Sequence, residues 1–251
     1  MKSLNLGVLS LSIIVGTVLV LGFAYISGGY YSSALFPTLA IFAGFIITGF
    51  IIGLMSIEVT ISEPGIGAIV VAILTFLLVP LFKLKGFAAV NSTDWIIVLM
   101  NAVVLTFVGA WIGEKIQHGN INEGSKANFD WSWVVTGTIL GITLNIILVI
   151  FLTLILGADP TKFIIPFFLS LLVVGIIVGR YSPGVTIKEA GLAGFLIIAI
   201  EFDIARLTLY QEGVGIWYIV GGVILGFLTC WLGGFIGEKM QAGKESKAAK
   251  A

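Results

Sequence analysis

The residues best suited to chemistry in this sequence are three ionisable side chains that interrupt an apolar run, Glu201, Asp203 and Arg206. Ionisable groups are costly inside a bilayer and usually face protein or water, which makes them candidates for an ion or proton site. Asp203 and Arg206 are i,i+3 neighbours on a helix and can form an ion pair. Glu201 lies five positions from Arg206, on a different face of that helix, and therefore needs another partner or a proton.

The depth of Glu201 in its span relates it to three other polar residues. A helix that starts near Ile187 and rises about 1.5 Å per residue puts Glu201 about 21 Å across a hydrocarbon core of about 30 Å. The same calculation places Asn145, Asn101 and Thr75 in the same layer. We interpret the layer either as interhelical hydrogen bonds, each contributing about 0.6 kcal/mol, or as the wall of a small polar cavity open to the exterior. In the cavity interpretation, Glu201 can accept a proton or a cation.

The composition is typical of an integral membrane protein. Hydrophobic residues make up 59% of the chain and charged residues 10%, and the mean hydropathy is +1.15, whereas a soluble domain has about 25% charged residues. Thirteen basic and 13 acidic residues cancel, so no net positive field attracts nucleic acid. We expect no nucleic-acid partner. Cys230 is the one cysteine, which excludes an intramolecular disulfide and a cysteine-based metal cluster.

The apolar runs predict an all-α fold. A helix that crosses the hydrocarbon core needs about 20 mainly apolar residues, and the sequence contains about eight such runs. They cover residues 5–27, 35–56, 62–82, 95–113, 131–156, 163–179, 188–208 and 216–236. The lipid bilayer is therefore the expected surrounding partner.

Basic residues near the span ends predict the orientation. Lys and Arg accumulate in short cytoplasmic loops. With an even number of spans both termini share one side, and that side holds nine of the basic residues against four on the other. We expect a protein of the cell membrane with both termini in the cytoplasm.

The second half of the chain repeats the first. The stretch VTISEPG at 59–65 returns as VTIKEAG at 185–191, and GAWIGEKIQHG at 109–119 returns as GGFIGEKMQAG at 233–243. Four spans in each half is an even number, so both halves insert in the same direction, related by a pseudo-twofold axis along the membrane normal. The predicted organisation is a first four-helix repeat at 1–119, a cytoplasmic linker at 120–130, a second four-helix repeat at 131–243 and a polar, Lys-rich tail at 244–251.

The repeated loop carries a helix-capping pattern. Thr60 with Glu63, and Thr186 with Glu189, have the spacing of a capping box. In this motif the Thr side chain accepts from a backbone N–H of the first turn, and the Glu side chain accepts from the N–H of the Thr. We predict that these pairs cap the third and seventh helices. The alternative is a paired cytoplasmic glutamate site.

Other motifs are structural in character. Glycines at four-residue spacing let helix backbones approach closely inside lipid; the pairs are Gly49 with Gly53, Gly109 with Gly113, Gly137 with Gly141, Gly175 with Gly179, and Gly233 with Gly237. The single histidine, His118, has no second histidine or cysteine nearby, so no metal site is expected. No nucleophile and base stand at a recognisable spacing. We expect neither enzyme activity nor a cofactor.

Two functional hypotheses follow. The favoured one is a structural or accessory membrane component whose glycine-rich helices pack within the chain, against other membrane subunits or against further copies of itself. The alternative is a small proton- or cation-linked transporter or channel with a polar site around Glu201. Because Thr75 occupies the position of Glu201 in the first half, such a site would be asymmetric.

Overall fold

A computed structural model describes residues 5–55, 62–118, 129–157, 164–182, 187–208 and 216–248. Within these ranges the chain forms eight α-helices and two short 3₁₀ helices, and it contains no strand. The α-helices are α1 (Leu6–Tyr30), α2 (Leu35–Met55), α3 (Ser62–Leu78), α4 (Ser92–His118), α5 (Trp131–Leu156), α6 (Ile164–Tyr181), α7 (Ile187–Thr208) and α8 (Ile216–Ala248). The predicted all-α class is confirmed for the described residues.

Seven of the described helices are long and apolar enough to cross a membrane. Helix α7 is the exception because it carries ionisable residues near both ends: Lys188 and Glu189 at the start, and Glu201, Asp203 and Arg206 towards the end. Its length of 22 residues nevertheless suits a span. The structure confirms that α7 is a helix, whereas its crossing of the membrane stays a prediction.

Large apolar side chains point away from the helix contacts. Ile165 and Trp217 are each 82% exposed, and Leu6, Leu81 and Ile155 are 70% exposed or more. Soluble proteins rarely expose contiguous apolar patches larger than a few hundred Å². The helices are therefore compatible with a polytopic membrane protein.

Two helices extend beyond their predicted ends. Helix α4 begins at Ser92 because Asn91 and Asp94 cap it reciprocally: Asp94 N donates to Asn91 Oδ1 at 3.0 Å, and Asn91 N donates to Asp94 Oδ2 at 3.1 Å. Helix α8 continues to Ala248, beyond the predicted span end near 236, whereas the point at which the membrane span ends stays a prediction. The residues after 236 include Glu, Lys, Met, Gln and Ala, which favour helix without needing lipid. Residues 119–128 of the predicted linker lie outside the described residues.

The chain divides by contacts into two compact units. The first comprises Met1–Gln117 with Val149–Ala158, and the second comprises His118–Leu148 with Asp159–Ala251. In the first unit, the Tyr31 hydroxyl lies 3.0 Å from Thr153 Oγ1, which ties the C-terminal part of α5 to the end of α1. Each unit has its own buried residues.

In the first unit, α1 packs against α2 and α3 around a core of buried apolar side chains that includes Val20, Ile41 and Phe45. Two 3₁₀ helices, Val79–Phe82 and Lys85–Phe87, fold back onto the end of this core. Phe87 packs against Gly28, where an added Cβ would lie 2.8 Å from the ring. Its ring centroid is 5.2 Å from that of Trp95. The connection between α3 and α4 thus closes this end of the unit.

Glycines bring two helix pairs into backbone contact. In the first unit, a Cβ added to Gly49 or Gly53 of α2 would meet a main-chain carbonyl oxygen of α4, and a Cβ added to Gly109 or Gly113 of α4 would meet one of α2. In the second unit, α6 and α8 make the same reciprocal contacts through Gly175, Gly179, Gly233 and Gly237. The predicted role of these glycines in close helix packing is confirmed within each unit.

Candidate polar site in the second unit

Three helices of the second unit bring Asn145, Ser170 and Glu201 together. The Asn145 Nδ2 atom donates to Glu201 Oε1 at 3.0 Å and lies 3.3 Å from Oε2. The Ser170 hydroxyl donates to Asn145 Oδ1 and lies 2.6 Å from the Phe167 carbonyl oxygen. The carboxyl of α7 is therefore linked through an amide of α5 to a hydroxyl of α6.

The local sequence explains why α5 and α7 approach each other here. Gly141 precedes Asn145 by four residues, and Ile197 precedes Glu201 by four, so each pair shares one helix face. A Cβ on Gly141 would collide with the Ile197 side chain. The missing side chain at Gly141 lets α5 come close to α7. One turn further along, that proximity puts Asn145 within hydrogen-bonding distance of Glu201.

The members of this group differ in exposure. Asn145 is 3% exposed and Ser170 is 4% exposed, whereas Glu201 is partly exposed and Asp203 is exposed. Burying polar groups is costly unless they are hydrogen-bonded, and both ends of the Asn145 amide have partners. The amide partner of Glu201 is thus enclosed, whereas the Glu201 residue as a whole keeps some exposed surface.

The structure brings together only part of the predicted polar layer. Asn145 bonds to Glu201, as the interhelical interpretation requires. Thr75 is buried and donates to the Val71 carbonyl of its own helix at 2.7 Å. Asn101 is exposed and donates to the Ile97 carbonyl of its own helix at 2.8 Å. These local bonds satisfy both side chains without a partner helix.

The predicted ion pair of Asp203 with Arg206 stays a prediction, because the Arg206 side chain lies outside the described residues.

The sequence analysis did not identify Ser170 as a member of this polar group. A signal for it was available: Ser170 is the one residue with a polar side chain between Ile164 and Gly179 in α6. A lone hydroxyl in an otherwise apolar helix indicates an interhelical hydrogen bond.

The repeated glutamates have partners that the capping-box pattern did not predict. Glu63 Oε1 accepts from the backbone N–H of Asn5 at 2.9 Å, and Glu189 Oε1 accepts from that of Asp130 at 3.1 Å. Both glutamates are 2% exposed. Each one joins the start of α3 or α7 to the residue that precedes α1 or α5 in its own unit.

The capping boxes themselves stay predictions, because Thr60 and Thr186 lie outside the described residues. Asn5 and Asp130, whose backbone N–H groups donate to the two glutamates, are themselves N-caps. Asn5 Oδ1 accepts from Gly7 N at 3.1 Å, and Asp130 Oδ1 accepts from Ser132 N at 2.8 Å. The glutamates therefore extend the capping of α1 and α5.

Among the described residues, no group of three or more His, Cys, Asp or Glu side chains is placed to hold a metal ion. The chemistry that the Asn145, Ser170 and Glu201 group offers is hydrogen bonding and the uptake of a proton or small cation by the carboxyl. No protein family, curated protein or solved structure matches this chain.

Proposed function

We propose that the chain is a non-catalytic structural or accessory component of a cell membrane, built as two parallel four-helix repeats with both termini in the cytoplasm. It acts by presenting a firmly packed helical surface to lipid and to other membrane subunits or further copies of itself. The reciprocal glycine contacts of α2 with α4 and of α6 with α8 are the observation that carries this proposal.

Matched contacts support the repeat. Gly16 of α1 faces Val71 of α3 in the first unit, and Gly141 of α5 faces Ile197 of α7 in the second. The glutamate contacts of the two units match in the same way. The helices of the two halves also follow one another in the same order and have similar lengths. One ancestral four-helix unit that was duplicated accounts for both halves.

The glycine contacts support a scaffold role because they fix helix pairs through main-chain atoms. A main chain cannot move aside as a flexible side chain can, so the crossings resist rearrangement. The glycines of these crossings are used inside the units, which leaves the large apolar side chains of the outer faces for lipid and partners. Trp217, Tyr218 and Ile165 are the most exposed of these side chains.

Purification from the native membrane in a mild detergent tests the accessory role. We expect the chain in an assembly larger than one copy, measured by native mass spectrometry with identification of every subunit. Repeating the measurement at rising detergent concentration separates stable association from shared micelles. Isolation of the chain only as a monomer would overturn the proposal.

The link between Asn145 and Glu201 favours a second candidate, a proton- or cation-linked transporter or channel. A carboxyl at this depth of a span is a recognised mark of an ion or proton path, and it is partly exposed here. Glu201→Gln should abolish ion or proton flux into liposomes that contain the purified protein. Asn101→Val is the matched control, since Asn101 bonds only its own helix. Flux that is unchanged in Glu201→Gln would exclude this candidate.

A further inference from the structure

The Ser170 hydroxyl has one proton but lies against two acceptors, Asn145 Oδ1 and the Phe167 carbonyl oxygen. We propose that Glu201, Asn145 and Ser170 form a proton-binding site in which the hydrogen bonds reverse direction when Glu201 takes up a proton. This inference names the ligand for the second candidate function, but the site binds a proton whether or not the chain transports anything.

The hydrogen bonds in the structure are those of the ionised site. Asn145 Nδ2 donates to the carboxylate of Glu201, and Ser170 donates its one proton to Asn145 Oδ1. A hydrogen bond from an amide to a charged acceptor is stronger than one between neutral groups. Because the hydroxyl has one proton, donation to Asn145 Oδ1 in the ionised site leaves the Phe167 carbonyl, 2.6 Å from the hydroxyl oxygen, as the alternative acceptor.

Protonation reverses the chain of donors. A hydronium ion loses one O–H bond and becomes water as its proton forms an O–H bond at Glu201, which neutralises the carboxylate. The Asn145 amide makes a half-turn that exchanges its oxygen and nitrogen positions, so Oδ1 accepts from the new Glu201 O–H. Nδ2 then donates to Ser170 Oγ, and the Ser170 hydroxyl rotates to donate to Phe167. No other covalent bond forms or breaks, and the Glu201 O–H, one Asn145 N–H and the Ser170 O–H each have an acceptor in this arrangement.

The surroundings favour a proton over a metal cation. Metal cations such as Ca²⁺ take about six to eight oxygen ligands. Within the described part of the chain, Glu201 hydrogen-bonds only Asn145, which offers it a nitrogen while Ser170 holds the amide oxygen. A proton bound at Glu201 forms one O–H group, which needs one acceptor. The half-turn of the Asn145 amide supplies Oδ1 as that acceptor.

Few ionisable groups compete with Glu201 on the helices packed around it. Helix α5 has none between Trp131 and Leu156, and on α6 the nearest is Arg180, about 15 Å along the axis from Ser170 at 1.5 Å per residue. On α8, Tyr218 is exposed and Cys230 lies beside Gly194. The other ionisable groups of α8 begin at Glu238, eight residues beyond Cys230. Those of α7 are Asp203, which is exposed, Arg206, and at the far end Lys188 and Glu189.

The matching positions of the first unit carry no ionisable group. Gly44 of α2 faces Val20 of α1, where an added Cβ would lie 3.1 Å from Val20, and Thr75 of α3 bonds its own helix. These three positions correspond in the repeat to Ser170, Asn145 and Glu201. Because the fold of the first unit forms from apolar and small residues here, the polar group of the second unit is not needed for packing.

Labelling with dicyclohexylcarbodiimide tests the proton site. This membrane-soluble reagent adds to a protonated carboxyl, and rearrangement leaves an acylurea that retains every atom of both reactants. The full-length protein in lipid nanodiscs is labelled across a pH series and digested for mass spectrometry. We expect labelling at Glu201 that falls as the pH rises and is absent in Glu201→Gln.

Asn145→Val gives the variant that tests the network, since valine stands at the matching position of the first unit. It should move the labelling midpoint to higher pH by about one unit, because the ionised carboxyl loses the stronger hydrogen bond. Asn101→Val should leave the midpoint unchanged. Absence of labelling at every pH, or an identical midpoint in Asn145→Val, would overturn the proton site.

Infrared difference spectra of the wild-type protein between low and high pH test the reversal without a destabilising substitution. With isotope-labelled asparagine, an amide band should change together with the carboxyl band of Glu201, and both changes should vanish in Glu201→Gln. A carboxyl change without an amide change would overturn the reversal. Ion or proton flux is measured in the separate liposome experiment. If Glu201→Gln leaves the flux unchanged while wild-type Glu201 is still labelled, the transport proposal fails and the proton site stands.

Discussion

Glu63 Oε1 accepts a hydrogen bond of 2.9 Å from the backbone N–H of Asn5, although 58 positions separate the two residues in the chain. The carboxyl is 2% exposed and lies beside the N-terminus of α1, where the helix dipole favours negative charge. Glu189 and Asp130 have the same relationship in the second unit. The start of one helix is thus fixed by a side chain at the start of another.

Glu63→Ala should lower the free energy of unfolding by about 1–3 kcal/mol, because it removes the charged acceptor of the Asn5 backbone N–H in a part-buried hydrogen bond. Glu63→Gln keeps an acceptor oxygen and should cost less. Thermal unfolding in detergent, followed by circular dichroism, measures both variants. An alanine variant as stable as the wild type would contradict a role for this contact.

Gly49→Ala should destabilise the first unit by more than about 2 kcal/mol, because the new Cβ meets the main chain of α4 and overpacks the crossing. Gly22→Ala is the matched control, since nothing lies within 4 Å of a Cβ at that position of α1. There the exchange should be neutral or stabilising by up to about 1 kcal/mol through helix propensity. Equal stability of the two variants would argue against the backbone contact.

Asn145 and Glu201 should be energetically coupled. In a double-mutant cycle of Asn145→Val and Glu201→Leu, we expect a coupling energy between about 0.6 and 1.7 kcal/mol, the range found for hydrogen bonds between membrane helices. Titration with a denaturing detergent supplies the four stabilities. Asn145→Val with Asn101→Val should be additive, as the two amides share no partner. Additivity of the first pair would show that the bond contributes nothing to stability.

The predicted orientation can be checked with single cysteines in a Cys230→Ala background. Lys83 and Gln117 are both exposed, and they lie before and at the end of α4. A membrane-impermeant maleimide should label Lys83→Cys on intact cells and Gln117→Cys only after lysis. The reverse pattern would place the termini outside.

The helices were largely predictable because their signal is local. Apolar runs of span length predicted all eight helices near their observed positions, and glycine spacing predicted the close crossings. The ends of α4 and α8 were not predicted, because both helices continue into polar stretches. A prediction based on apolar runs stops where such a stretch begins. At these ends capping and helix propensity, rather than lipid, determine the length.

The sequence by itself determined that Glu201 lies within an apolar run with no oppositely charged residue three or four positions away, and it predicted Thr75 as the repeat counterpart of Glu201. Only the tertiary structure decided that Asn145 meets it, that Ser170 completes the group, and that Asn101 bonds its own helix instead. The physical reason is that hydrophobic length gives a residue's depth along its own helix but not the direction in which it faces. Hydrogen bonds of a few ångströms depend on that direction in each helix and on how closely the helices approach, which is settled by contacts such as that of Gly141 with Ile197.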